Sequence, residues 1–281
     1  MIKAKIKSYA KLNLALNITG KNSSLHKIET LVAFVSLHDE IFIEKIKTKS
    51  HKVIFTGKFS KNINKNNTVS KLLRILDKKK LLKDKKFKIK TNKNIPIKAG
   101  LGGGSMNAAN ILKFFVKKKI VKTSKKELIK ISNMIGSDVI LGHKSRSSIL
   151  NEKNKIISFN NYTKFYVLIV KPNFGCITKV IYSKVKKFTK PKFNKPNKKM
   201  FDLDYLRKMH NSLEPIVLKK YNKLRIIKSF LENSLTPVFV RMTGSGSALV
   251  AYFKSKEKCI NAKKKFVKRY KNYWCITSKT I

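Results

Sequence analysis

A chain of 281 residues, 42% of them hydrophobic, is long enough for two modest domains or one large one, and no apolar run approaches the roughly 18 residues of a membrane-spanning helix. Its 66 basic residues against 14 acidic ones give a formal net charge of +52, which points first to nucleic acid as a partner. Only six of the 66 are arginine, the residue of bidentate phosphate and base recognition, and the lysines are spread through every segment. The charge therefore reads as a solvated cationic surface that attracts small anionic substrates. Cys176, Cys259 and Cys275 are odd in number and widely spaced, which indicates a reducing compartment and no zinc site. The N-terminal residues pass straight into strand-like alternation, so the expectation is a cytoplasmic protein without a leader segment.

Residues 2–18 place Ile2, Ala4, Ile6, Ala10, Leu12, Leu14, Leu16 and Ile18 on one parity, the pattern of a strand with one buried face, with Lys11 and Asn13 on the other. A turn is expected at 20–24 and a further strand region at 28–43, interrupted near His38-Asp39-Glu40. A short strand at 53–55, a polar loop at 62–67, a helix at 68–76 and an alternating strand at 87–91 follow. Ser124-Lys-Lys-Glu127 is a capping box, and the helix it opens ends near Gly136, with Asp138 at its exit. Residues 141–161 read as irregular and 165–170 as a buried strand. Eight lysines with Pro191 and Pro196 make 184–200 an exposed, mobile loop in this reading. Helices at 203–209, 213–218 and 224–231 precede a strand at 238–242, the turn Gly244-Ser-Gly246, a strand at 248–253, a helix at 257–270 and a strand at 274–277. Mixed helices and strands make the fold α+β or α/β.

The chemistry centres on Ile95-Pro-Ile-Lys-Ala-Gly-Leu-Gly-Gly-Gly-Ser-Met-Asn-Ala-Ala109, with four glycines and a serine within residues 100–105. Glycines allow positive φ and close approach of a ligand to backbone N–H groups, and a helix start adds unpaired donors and the positive end of a dipole. The combination is an anion site, most often for phosphate. It is not a Walker A loop, because Gly104 is followed by Ser105 and Met106 with no lysine. Nor is it a dinucleotide fingerprint, because position 105 is serine and the region near 120 is basic. Asp138, close to a phosphate loop, can accept a hydroxyl proton, or it can be a turn or capping residue. Lys11 is either a site residue or one solvated lysine among many, and Thr243-Gly-Ser-Gly246 is either a second wall of a nucleotide site or an ordinary turn.

Ala10-Lys-Leu-Asn-Leu14, Gly100-Leu-Gly-Gly-Gly-Ser105 with Asn107-Ala-Ala109, Gly136-Ser-Asp-Val139, Asn211-Ser-Leu-Glu-Pro215 and Met242-Thr-Gly-Ser-Gly246 together resemble the motifs of the GHMP kinases, in that order across nearly the whole chain. The resemblance implies an α+β fold of two domains, 1–160 like the second domain of ribosomal protein S5 and 161–281 ferredoxin-like, with the site between them. It implies ATP with Mg²⁺ and phosphorylation of the 2-hydroxyl of a cytidine diphosphate-linked methylerythritol, in the non-mevalonate route to isoprenoid precursors. By position, Asp138 would be the base, and Lys11 would orient and polarise the hydroxyl. Pro96, Ala99, Gly100, Leu101, Gly102, Gly103, Gly104, Ser105, Asn107 and Ala108 would hold ATP. Asn13, His26, Thr178 and Tyr182 would meet the cytidine diphosphate substrate, with Tyr182 stacking on cytosine, and Gly244 and Ser245 would border the site. No protein-held metal is implied, and a monomer or homodimer away from membranes is expected. Leu25 stands where the family has an aromatic, Lys27 reverses a charge, Tyr9 replaces a proline, Lys144-Ser-Arg146 replaces a glycine pair, and Ser212 replaces an aspartate. Another GHMP kinase acting on a different small alcohol, and a basic nucleic-acid-binding protein on the same fold, are the alternatives.

Overall fold

The computed structural model describes residues 2–22, 26–160 and 163–281, so Leu25 and its neighbours Ser23 and Ser24 lie outside the described residues. Two long strands open the chain, β1 (Lys3–Lys21) and β2 (His26–Ile46). The alternation of the first is real, and β1 pairs with β2. The expected interruption at residues 38–40 is absent, and β2 runs through it. The polar residue at its centre, Asp39, is satisfied by partners more than 50 positions away, which local sequence does not reveal.

The chain divides into two compact units interleaved along the sequence. Unit 1 comprises Met1–Ala10, Leu37–Ile97 and Gly102–Ser145. Here Glu40 to Ile46 of β2 pair antiparallel with β4 (Lys86–Asn92), and β3 (Lys52–Thr56) pairs parallel with β4. Helix α1 (Thr68–Lys78) starts where the polar loop ends because Asn67 accepts hydrogen bonds from the Val69 and Ser70 N–H groups, a cap worth about 1 kcal/mol. Its apolar stripe, Val69, Leu72, Leu73 and Leu76, shares a core with α2 (Gly103–Lys117), α3 (Lys125–Ile135), Phe87 and Ile89. Ser124 caps α3 by accepting from Glu127 N–H at 3.2 Å, as the capping box predicts. A 3₁₀ turn, Val139–His143, follows Gly136.

Unit 2 comprises Lys11–Ser36, Lys98–Leu101 and Arg146–Ile281. Thr30 to Val32 of β2 pair with β5 (Ser148–Leu150), which pairs with β6 (Ile156–Ser158). These two three-residue strands correct the irregular reading of 141–161, since they are too short to display a period. Next come β7 (Tyr166–Lys171) and the helices α4 (Thr178–Tyr182), α5 (Leu203–Lys208), α6 (Glu214–Lys220) and α7 (Asn222–Ser234). Then follow β8 (Phe239–Met242), β9 (Leu249–Phe253), α8 (Lys256–Arg269) and β10 (Trp274–Lys279). The antiparallel sheet has the order β10-β7-β9-β8, the ferredoxin-like arrangement, with Leu168, Val170, Leu249, Ala251 and Phe253 packing on Leu224, Ile227, Leu231, Ala262 and Phe266.

The lysine-rich stretch 184–200 is not free. Glu29, fully buried, accepts from the Lys192 and Phe193 N–H groups at 2.8 and 2.9 Å, Thr189 N–H donates to the Ile18 carbonyl at 2.8 Å, and Phe193 is fully buried. It is a strap pinned to β1 and β2. Among the described residues no helix is long and apolar enough to cross a membrane.

Candidate functional site

In unit 1 the glycine stretch becomes the start of α2. Gly102 has φ 69° at the N-cap and offers no side-chain cap. Met106 N–H closes the first turn on the Gly102 carbonyl at 2.8 Å, so the N–H groups of Gly103, Gly104 and Ser105 have no acceptor within the helix. A side chain at Gly103 would come within 3.0 Å of Ile95 and 3.3 Å of the Lys93 ammonium, and one at Gly104 would meet the Thr68 hydroxyl at 3.1 Å. That hydroxyl donates to the Gly104 carbonyl at 2.7 Å. The donors are thus bare, and packing holds their direction. Asp39 sets the geometry beneath them. Its Oδ1 accepts from the Asn94 and Ile95 N–H groups, both at 2.8 Å, and its Oδ2 accepts from Asn107 Nδ2 at 3.0 Å and from the Lys93 ammonium. The segment leading from β4 into the loop and the helix leaving it are therefore tied to one buried carboxylate.

Asp138 is the residue immediately before the 3₁₀ turn, and its side chain makes no capping hydrogen bond. The Gly136 turn that carries it lies against α2, where a side chain at Gly136 would sit 3.9 Å from Ser105 Oγ. Unit 1 therefore brings Asp138 close to the first turn of the anion loop. Pro96, Asn107 and Ala108 of the expected nucleotide set are buried and brace that turn, whereas Gly102 to Ser105 are at least partly accessible.

In unit 2, Lys11 is 2% exposed, and its ammonium donates to Asn13 Oδ1 at 2.6 Å. A lysine this buried is not a solvated surface residue. Asn13 in turn donates through its N–H to the Thr243 hydroxyl at 3.0 Å and through Nδ2 to the Thr30 hydroxyl at 2.8 Å. The Thr243 hydroxyl donates to the Gly100 carbonyl at 3.1 Å, and Lys11 N–H donates to the Leu101 carbonyl at 3.1 Å. The first part of the glycine stretch thus has a role distinct from the rest. Gly100, φ 74°, presses so closely on the Thr243–Gly246 turn that a Cβ would fall 2.0 Å from the Thr243 carbonyl oxygen. Ala99 and Leu101 are buried beside it.

The turn itself is braced by the Asn211-Ser-Leu-Glu-Pro215 segment. Asn211 Nδ2 donates to the Met242 and Gly244 carbonyls at 2.9 and 2.8 Å, and Glu214 accepts from Met242 N–H at 2.6 Å. Ser245 meets Thr178 through a hydroxyl pair at 2.9 Å. His26 and Tyr182 have ring centroids 5.2 Å apart, with Phe188 6.4 Å from His26 on the strap. Burial, and after it the charge of Lys21, holds the His26 imidazole below its ordinary pKa. It is therefore a neutral ring near pH 7, with one donor and one acceptor nitrogen.

The residues expected for the substrate therefore gather within unit 2, and the phosphate donors and Asp138 within unit 1. The sequence reading missed Asp39 and Lys93, the Thr30 hydroxyl, Glu29 and Phe188. Their main partners are 12 to 164 positions away, beyond the reach of local sequence patterns. Among the described residues no three His, Cys, Asp or Glu side chains are grouped to hold a metal ion.

Residues 67–148 match the family model of the GHMP kinases N terminal domain. A Pelagibacter ubique protein named 4-diphosphocytidyl-2-C-methyl-D-erythritol kinase is 57% identical over 277 residues, covering 99% of each chain. A Petrotoga mobilis protein of the same name is 33% identical, with 87% of this chain and 96% of the relative covered. Among solved structures, a 4-(cytidine 5'-diphospho)-2C-methyl-D-erythritol kinase superposes with a TM-score of 0.76 at 21% identity, covering 98% of this chain and 99% of the other. Homoserine kinase from Cytophaga hutchinsonii superposes with a TM-score of 0.71 at 15% identity, covering 99% and 94%. At those identities the two superpositions speak for the fold.

Proposed function

The chain belongs to the 4-diphosphocytidyl-2-C-methyl-D-erythritol kinases of the GHMP kinase family, and on that premise we propose that it transfers the γ-phosphoryl group of ATP to the 2-hydroxyl of 4-diphosphocytidyl-2-C-methyl-D-erythritol, a cytoplasmic step of non-mevalonate isoprenoid precursor synthesis. The observation that carries this reading is the 57% identity maintained over 99% of both chains.

The residues have the chemistry for the reaction. The N–H groups at the start of α2 receive the phosphates of ATP, aided by the helix dipole. Their fit to phosphate rests on the bare first turn and on glycines 103 and 104, where an added Cβ would crowd Ile95 at 3.0 Å and the Thr68 hydroxyl at 3.1 Å. Ser105 offers a hydroxyl oxygen of the kind Mg²⁺ accepts, and a Mg²⁺ ion brought by the nucleotide would supply neutralisation of phosphate charge there. Lys11, held by Asn13, orients and polarises the 2-hydroxyl. Asp138 takes the hydroxyl proton as the new O–P bond forms and the bridge to the β-phosphate breaks, releasing ADP. Catalysis is then positioning plus charge stabilisation. On the substrate side Asn13, His26, Thr178 and Tyr182 receive the cytidine diphosphate portion, with Gly244 and Ser245 bordering it.

ADP release by the purified chain with Mg·ATP, with and without 4-diphosphocytidyl-2-C-methyl-D-erythritol, tests the reading at two salt concentrations. Release that depends on this substrate is expected. No release, together with tight salt-sensitive RNA binding, would overturn it and make the +52 surface the functional feature. Asp138→Asn is expected to lower kcat by roughly 10²–10⁴-fold while ATP affinity stays within about twofold. Turnover near wild type in that variant removes Asp138 from the mechanism.

A further inference from the structure

Five of the six arginines are exposed, and the sixth, Arg241, is 5% exposed. It lies on β8 between Val240 and Met242, which share a core with Leu224, Ile227 and Leu231 of α7, so its side chain leaves by the opposite face of the sheet. There Nη1 donates to the Leu14 carbonyl on β1, and Nη2 donates to the Leu206 carbonyl at 2.9 Å and to the Met209 carbonyl at the end of α5. The nearby Glu214 carboxylate is taken by Lys228 at 2.9 Å and by Met242 N–H at 2.6 Å. Arg241 is thus a buried cation held by main-chain carbonyls. Stability alone does not call for one, since a well-packed apolar side chain serves as well or better at such a position. What the carbonyls share is their place in the substrate half of the site. Leu14 follows Asn13, whose N–H is held by the Thr243 hydroxyl and whose Oδ1 takes the Lys11 ammonium. Met209 lies two residues before Asn211, which grips the Met242 and Gly244 carbonyls. Between them, Leu16 N–H donates to the His210 carbonyl at 3.0 Å. Arg241 therefore closes a ring, within unit 2, from β8 to β1, along residues 209–211 and back to the turn after β8.

We propose that Arg241 is a positioning residue for the phosphoryl transfer, whose planar fork fixes the β1 backbone at Leu14 and through it the direction of the Lys11 ammonium. The proposal rests on the kinase reading above and deepens it. Lys11 carries its charge on a long flexible stem, and Asn13 is the printed partner of its tip. The aim of the ammonium is therefore only as good as the placement of Asn13. Thr243 holds Asn13 on its N–H side, and Arg241 holds the next peptide on its carbonyl side. A displacement of about 1 Å in such a group costs as much as 10²-fold in rate. Lysine cannot replace the fork, because a single ammonium does not present fixed donors to β1 and to the end of α5 together.

The test uses the full chain and a double-mutant cycle. Arg241→Lys, which keeps the charge, and Arg241→Met, which keeps the bulk, are each made in the wild type and in Lys11→Met. Turnover is followed with radiolabelled ATP, so that residual rates are read, at a temperature where circular dichroism shows the variants folded. In the wild-type background both substitutions are expected to lower kcat about 10–100-fold, with the KM for ATP within about twofold. In the Lys11→Met background the further loss is expected to be under about twofold, because the ammonium that Arg241 aims is gone. An equal fold loss in both backgrounds overturns the proposal, since a general loosening of unit 2 is additive with the loss of Lys11. Unchanged kcat in the two Arg241 variants overturns it, as does wild-type turnover in Lys11→Met. Failure of both Arg241 variants to fold also overturns it, and makes the ring a folding element alone. These outcomes leave a wild type that turns over its substrate and sink this inference only. A wild type that releases no ADP with the substrate sinks the kinase reading itself.

Discussion

Two carboxylates on β2, Glu29 and Asp39, solve the same problem in different ways. Both are fully buried, and each gathers two backbone N–H groups from a segment far along the chain. Asp39 holds residues 94 and 95, just before the glycine loop, and Glu29 holds residues 192 and 193, in the strap that carries Phe188. The difference lies in the remaining partners. Asp39 is neutralised by the buried Lys93 ammonium and also takes Asn107. Glu29 takes only neutral donors, the third being Asn17 Nδ2 at 2.8 Å. One charge is balanced by a charge, the other by dipoles. Removing one side should therefore cost far more at Asp39, because it strands a cation as well as two amides.

The largest expected effect follows directly. Asp39→Ala should destabilise unit 1 by about 3–5 kcal/mol, the range for breaking one side of a buried ion pair, and raise the KM for ATP as the loop loses its anchor. Urea denaturation and steady-state kinetics measure both. Asp39→Ala combined with Lys93→Met should recover much of the stability, since no charge is then left unpaired, but little of the ATP affinity. A double variant no more stable than the single one would break the ion-pair account and leave the lost backbone acceptors as the cause.

Unit 1 also buries a titratable group in neutral form, which sharpens the contrast with its paired charge. The His143 imidazole lies 2.6 Å from the Ser132 hydroxyl, and burial, followed by the nearby Lys113, lowers its pKa to about 4. In the unfolded chain the value returns to about 6.5. Below that pH the unfolded state takes up a proton that the folded state refuses. The stability is therefore fully present above pH 6.5 and is lost as pH falls toward 4, by about 2–3 kcal/mol at most. Urea midpoints at pH 7 and pH 4.5 should fall closer together in His143→Gln than in the wild type. The same separation in both would assign the acid sensitivity to other groups.

What the sequence displays and what it hides follows the same line between local and distant partners. The alternation of β1, the Ser124 cap and the bare start of α2 are local features, and all were legible. The sequence expectation broke β2 at Asp39 and freed the strap at 184–200, because a buried aspartate and a run of lysines both look like solvent-facing residues until their partners are known. Likewise the glycines of residues 100–104 are one letter with two duties. Gly100 is required by the Thr243 carbonyl within unit 2, whereas Gly103 and Gly104 leave the α2 donors bare within unit 1. Lys11 was indistinguishable by spacing from the other lysines, and only its burial against Asn13 separates it.

The smallest effect belongs to Glu29→Gln, and it is the most discriminating because shape is preserved. Wild-type Oε1 accepts from Asn17 and Lys192, and Oε2 accepts from Phe193, so every donor around the group needs an oxygen. A glutamine supplies one oxygen and one NH₂. Whichever way it is turned, at least one backbone N–H faces another donor. The loss should be about 1–2 kcal/mol, the cost of one unsatisfied buried amide, with no stranded cation to enlarge it. Because the affected amides belong to the strap, the KM for the cytidine diphosphate substrate should rise while the KM for ATP stays put. Asp39→Ala should show the reverse weighting. If Glu29→Gln instead raised both KM values equally, the strap would be a general stability element, and the division of labour between the two carboxylates would fail.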